Sequence, residues 1–217
     1  VARALPSGIG RLPVKPPFRH IFSNLPAVNW LSGARFFLFG ARDVWFVVGL
    51  PVFLYSVLGW SFTQVGGFLA VWVIGYGAVQ ALAPAMFRRD RRGVAPGGAA
   101  AVLWAALLAL VPASMALAMG GGWDPAAVVM GGLALFGVVF AVNSAVHSYL
   151  ILAYSETDTV SLNVGFYYMA NAGGRLAGTV LSGWVYQTQG LEGCLWWSAA
   201  FVLAAMLLSV QLPRALG

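Results

Sequence analysis

The chain has 217 residues, of which 60% are hydrophobic and only 8% charged. A soluble domain carries about 25% charged residues, so the composition excludes an ordinary soluble enzyme, and it equally excludes a disordered tail. Twelve Lys and Arg stand against six Asp and Glu, a net charge of +6, and mean hydropathy is +0.83. In a membrane protein that basic excess reports topology, because cytoplasmic loops collect Lys and Arg; no nucleic-acid partner is implied.

Residues 1–25 read as a basic, Pro-rich cytoplasmic linker, with Pro6, Pro13, Pro16 and Pro17, with Arg3, Arg11, Lys15 and Arg19, and with no acid. Val1 is not Met and the opening stretch lacks the apolar core of a signal peptide, so the chain reads as an excerpt, or one part of a longer protein. The first span runs from Pro26 to Leu58, longer than the ~20 residues that cross a bilayer, and Pro51 should kink it by removing a backbone hydrogen bond. After Gly59-Trp60-Ser61 a second span runs to about Phe87, followed by the basic loop Arg88-Arg89-Asp90-Arg91-Arg92. The third covers about Gly98 to Met119, the fourth about Ala126 to Tyr154, the fifth about Val160 to Tyr186 and the sixth about Leu191 to Leu212. The expected fold is therefore an all-α membrane protein in which residues 26–217 form a bundle of six transmembrane helices.

Nine of the twelve basic residues fall in the linker, the loop between the second and third spans, and the C-terminal tail. The loops of the opposite face hold none, so both termini are expected in the cytoplasm. Trp60, Trp123 and Trp184 lie near span ends and read as interfacial anchors.

Three arginines remain, and they fall inside the spans: Arg35, Arg42 and Arg175. Asp43 is the acid expected beside them. Each buried charge costs about 2.5–3.5 kcal/mol on insertion scales, so all four would cost about 10–14 kcal/mol unless they face protein or water and find partners. Arg35 and Arg42 are seven apart and share a helix face. The local sum of +2 favours an anion, and arginine grips oxyanions through its planar fork. Polar groups line up with them: Tyr168, Asn171, Arg175 and Ser182 on the fifth span, Asn143 and His147 on the fourth, Tyr76 and Gln80 on the second. The third and sixth spans are bland and read as lipid-facing. The expected substrate-binding set is Arg35, Arg42, Arg175, Asn143, His147, Tyr168 and Asn171. Asp43 would hold an arginine in place as a structural ion pair or carry a coupled proton. Gly174, Gly178 and Ser182 form a small-residue series suited to close helix packing.

Cys194 is the single cysteine, so one chain can form neither a disulfide nor a Cys-pair metal site. No metal and no cofactor is expected. An intramembrane protease would need its Ser and His on different helices with a Gly-x-Ser-Gly setting; Ser144 and His147 share one helix without it, so a transporter is favoured over an enzyme. A membrane scaffold is the other rival, and it gives no reason for three midmembrane arginines.

The six-span layout with a basic loop after the second span, Arg-Arg-Asp-Arg-Arg-Gly at 88–93, resembles half of a major facilitator superfamily transporter. The basic linker resembles the loop that precedes the seventh helix of that fold, which makes this the C-terminal half, with an N-terminal six-helix half as its missing partner. Three segments carry a closer likeness: FLFGARDVWFVVGLPVFLYSVLGW at 37–60, FAVNSAVHSYLILAYS at 140–155 and SLNVGFYYMANAGGRLAGTVLSGWVYQ at 161–187. They resemble the organoarsenical efflux permeases of the ArsJ type, over most of residues 18–213. That resemblance implies export of 1-arseno-3-phosphoglycerate across a bacterial inner membrane, arsenate resistance, and a functional link to the glyceraldehyde-3-phosphate dehydrogenase that makes the compound. The alternative is a major facilitator exporter of another organic anion, a drug or a sugar.

Overall fold

A computed structural model of the protein describes residues 23–88, 97–156 and 158–214, and among them every regular element is helical. The linker through residue 22 and the basic residues 89–92 lie outside the described residues. The helices are α1 (Pro26–Phe46), α2 (Gly49–Ser56), α3 (Phe62–Arg88), α4 (Gly98–Gly120), α5 (Pro125–Tyr154) and α6 (Val160–Ser209). Five spans are long and apolar enough to cross a membrane, α1 and α2 counting together as Pro26–Ser56. The chain is a multi-pass helical membrane protein.

Local chemistry sets the starts. Pro26 opens α1, where its missing N–H costs nothing. The Asn29 side chain accepts from the Ser23 amide at 3.0 Å and donates to the Ser23 carbonyl at 2.8 Å, which fixes the incoming chain. At α5, Asp124 caps the helix by accepting from the Ala127 amide at 3.1 Å, and Pro125 follows it.

The first span is not one rod. It breaks at Val47 and Val48 and resumes at Gly49. Pro51 has no N–H to donate to the Val47 carbonyl one turn back, which places the break where the sequence expectation put a kink. The Gly49 amide instead donates to Ser182 Oγ at 3.0 Å.

The expected loop between the fifth and sixth spans shrinks to one residue. α6 continues through 187–189, and only Gly190 leaves helical geometry, at φ 68° and ψ −166°. A left-handed φ suits glycine, which lets so short a reversal form. The arms on either side fold back on each other: Cys194 Sγ lies 3.9 Å from the Ser182 carbonyl.

α1 packs into that fold-back. Ser198 on the second arm donates to the Ala41 carbonyl at 2.7 Å. On the first arm, a Cβ added to Gly174 would collide with the Phe36 carbonyl, and one added to Gly178 would sit 2.6 Å from the Gly40 carbonyl. The small-residue series expected to pack closely therefore does so, against α1. Around this crossing Leu38, Trp45, Phe136, Phe140 and Leu195 are fully buried.

Burial corrects one expectation. The third and sixth spans are not the bare ones: α4 buries Ala101, Leu108, Val111 and Met115, and the second arm of α6 buries Cys194, Ser198 and Val202, whereas α3 buries only Val65 and Ala83 among its described side chains. α3 leaves most of its surface outside the chain's own core.

The ends sort into two groups. Ser23 Oγ donates to Asn163 Oδ1 at 2.8 Å, the Gly98 amide to the Pro213 carbonyl at 2.9 Å, and Tyr154 Oη to the same carbonyl at 3.2 Å. The starts of α1, α4 and α6, the end of α5 and the C-terminal segment thus share one end of the bundle. At the opposite end Gly120 lies against Glu192.

Candidate functional site

α1 carries the charges on one face because Arg35, Phe39 and Arg42 follow the i, i+4, i+7 helical repeat. Asp43, the next residue, turns toward α6. Its Oδ1 accepts from Arg42 Nε at 2.6 Å and its Oδ2 accepts from Arg175 Nε at 3.1 Å. Each carboxylate oxygen is thus occupied by a different arginine. Asp43 and Arg42 side chains are 1% and 14% exposed, but that of Arg175 is 57% exposed. The unit is a buried acid bridging one enclosed and one open guanidinium, with a net charge of +1.

Arg35 is held differently. It is 3% exposed and forms no ion pair among the described residues. Its Nη1 donates to Ser144 Oγ at 3.1 Å and to the Ser144 carbonyl at 3.3 Å, both on α5. Its guanidinium carbon lies 4.0 Å from the Phe39 ring centre and 4.9 Å from that of Tyr167. Arg42 lies over Phe39 too, at 5.1 Å, and over Phe140 at 5.5 Å. Phe39 therefore serves two cations through the attraction of charge to an aromatic face, and it joins the two arginines into one continuous strip.

The other expected residues divide by depth. Asn143 and His147 are fully buried on α5, flanking Ser144, and their side-chain nitrogens and oxygen have no hydrogen-bond partner among the described residues. Ser144 Oγ accepts from Arg35 and from Gln80 Nε2 at 3.4 Å, so its bonds run to those groups rather than to His147. Asn171 is half-buried with an unpartnered Oδ1, and Tyr168 is 55% exposed. Ser182 serves the broken first span instead of the cluster.

Four contributors were outside the sequence expectation: Phe39, Phe140, Tyr167 and Ser144 as a partner of Arg35. Phe39 could have been found, since it sits between Arg35 and Arg42 in the helical repeat. Tyr167 also left a signal, because Tyr167, Asn171, Gly174, Gly178 and Ser182 follow i+4 and i+3 steps along the face that packs on α1.

No group of three or more His, Cys, Asp or Glu among the described residues could hold a metal ion. The arrangement can do one thing well. It presents positive charge at the depth of the spans, with its acid buried and one guanidinium open. No family model, curated protein or solved structure matches the chain.

Proposed function

We propose that the chain is the C-terminal six-helix half of a secondary transporter of the major facilitator type, exporting an organoarsenical anion such as 1-arseno-3-phosphoglycerate and so giving arsenate resistance. One observation carries the anion reading: three arginines lie within the spans, and the acid that contacts Arg42 and Arg175, Asp43, leaves Arg35 without an ion pair among the described residues. Uncompensated charge inside a membrane is costly and is kept for a function. An anionic ligand supplies the compensation.

In this reading Arg175, open and paired only through Nε, makes first contact with the anion. Arg42 adds the second grip, and Arg35 fixes the charge of the strip deeper in the bundle. Tyr168 and Asn171 flank Arg175 on α6, and Asn143 and His147 add polar lining from α5. Six crossings follow when α6 is counted as two spans joined at Gly190: α1 with α2, then α3, α4, α5 and the two α6 arms. The two groups of helix ends described above fit that count. The uncovered face of α3 and the open side of Arg175 support a second half as partner, because sites in such carriers lie between halves. The identity of the anion rests on the likeness of residues 37–60, 140–155 and 161–187 to organoarsenical permeases.

The test is the arsenic content of cells challenged with arsenate. They would express the native reading frame with and without glyceraldehyde-3-phosphate dehydrogenase. Arsenic should fall only when both are present, and Arg175→Ala should abolish the fall while the protein stays in the membrane. Unchanged arsenic with correctly inserted protein rejects the substrate. Full activity in both Arg42→Ala and Arg175→Ala rejects the anion site.

A further inference from the structure

Asp43 does more than pair with an arginine. Its two oxygens take the Nε groups of Arg42 and Arg175, which come from different helices. It does so at 1% exposure, so an oxyanion gripped by both arginines would compete with it for the same two guanidinium groups. We propose that Asp43 is a built-in counter-anion that the transported anion displaces, and that its return to the two arginines lets the unloaded site recross the membrane. This rests on the anion-export reading above.

The asymmetry of the pair makes displacement feasible. Arg175 reaches Asp43 through Nε while more than half of its side chain is open, so an anion can approach its terminal nitrogens before the existing ion pair breaks. Arg42, stacked over Phe39 and Phe140, keeps its place when Asp43 lets go. Charge then sets the kinetics. With Asp43 seated, the unit moves through the membrane at +1. With the acid absent and no substrate bound it moves at +2, and one further uncompensated charge at the membrane centre slows that step by about a hundredfold. The loaded site escapes this penalty, because the substrate supplies the negative charge.

Net efflux requires the unloaded site to return; exchange of one anion for another does not. Purified protein from the complete native reading frame would be placed in liposomes with radiolabelled 3-phosphoglycerate inside. Efflux would be followed into buffer without the anion and into buffer containing unlabelled 3-phosphoglycerate. For Asp43→Asn we expect net efflux to fall about a hundredfold, with exchange kept within about threefold of the parent. Asp43→Glu, which retains the carboxylate, should recover net efflux. Equal loss of both modes in Asp43→Asn, with recovery of both in Asp43→Glu, would show that Asp43 only positions the arginines and overturns the counter-anion. Unchanged net efflux in Asp43→Asn overturns it as well. A parent protein that moves 3-phosphoglycerate in neither mode and also leaves cellular arsenic unchanged in the arsenate challenge overturns the anion-export reading, and the counter-anion with it.

Discussion

Arg35 and Asp43 are both nearly inaccessible, yet removing them should have unequal weight. Replacing Arg35 takes away a buried charge that has no acid, together with two hydrogen bonds to Ser144 and two ring contacts. A lost hydrogen bond to a charged group is worth about 1.5–3 kcal/mol and each lost ring contact about 0.5–1 kcal/mol, while relief of burial returns about 2.5–3.5 kcal/mol. Arg35→Gln, whose amide can keep one bond to Ser144, should therefore cost no more than about 2 kcal/mol. Asp43→Ala leaves Arg42 enclosed and unpaired, and breaking a buried pair in this way costs about 3–5 kcal/mol. Arg175 adds little, because its open side can be solvated by water in the cavity between halves. Folded fraction in detergent across a temperature ramp separates the two, and a larger loss for Arg35→Gln would reverse the assignment. The presence of these charges was legible in the sequence, since an Arg inside an apolar run is conspicuous. Their pairing was not. Asp43 could have served either arginine, and only the α1–α6 crossing shows that it serves both. Tyr168 was expected through its heptad spacing from Arg175, but the adjacent Tyr167 points at Arg35 because a one-residue step turns a helix face by about 100°.

Helix boundaries came from two opposite effects of special residues, one readable and one only half so. Pro51 announced the break in the first span, because a missing N–H acts on the residue one turn back whatever the surroundings. Gly190 announced a turn but not how short it would be. A single left-handed residue suffices there, and the helices resume at once. The two kinds of essential glycine should respond differently to substitution. At Gly190 an added Cβ meets nothing within 4 Å, so the cost is backbone strain alone, about 1–3 kcal/mol for Ala. With ψ at −166° the residue lies outside the left-handed helical well that Asn tolerates, so Asn should lose about as much as Ala. At Gly174 the backbone is ordinary, but a Cβ would strike the Phe36 carbonyl. Asn is then worse than Ala, and overpacking costs about 1–3 kcal/mol. Thermal unfolding of the four variants tests the distinction through the gap between Ala and Asn, small at Gly190 and wide at Gly174. A wide gap at Gly190, or none at Gly174, would show that one of the two mechanisms is misassigned.

At the scale of the whole molecule, charge and geometry bear independently on orientation. They agree where both can be read: Arg214 follows Pro213, whose carbonyl binds the Gly98 amide and Tyr154 Oη at one end. The start of α4, which follows the basic loop, is at that end too. The opposite end carries Asp124 and Glu192 and exposes Trp123 at 69%, with no Lys or Arg among its described residues. Burial, by contrast, could not be read from composition. The Ala- and Leu-rich α4 looked like a lipid-facing helix but packs against α5 and α6, because small side chains suit close approach as well as they suit lipid. Orientation is testable without interference from Cys194, which is buried. In a Cys194→Ala background, single cysteines would replace Trp123, Asp158 and Arg214 in turn. Under the positive-inside rule, a membrane-impermeant maleimide should label position 123 in intact cells, and positions 158 and 214 only after permeabilisation. Labelling of 158 and 214 from outside would invert the protein in the membrane. Labelling of 158 and 214 from opposite sides would mean an odd number of crossings between them and would break the fold-back at Gly190 as a membrane reversal.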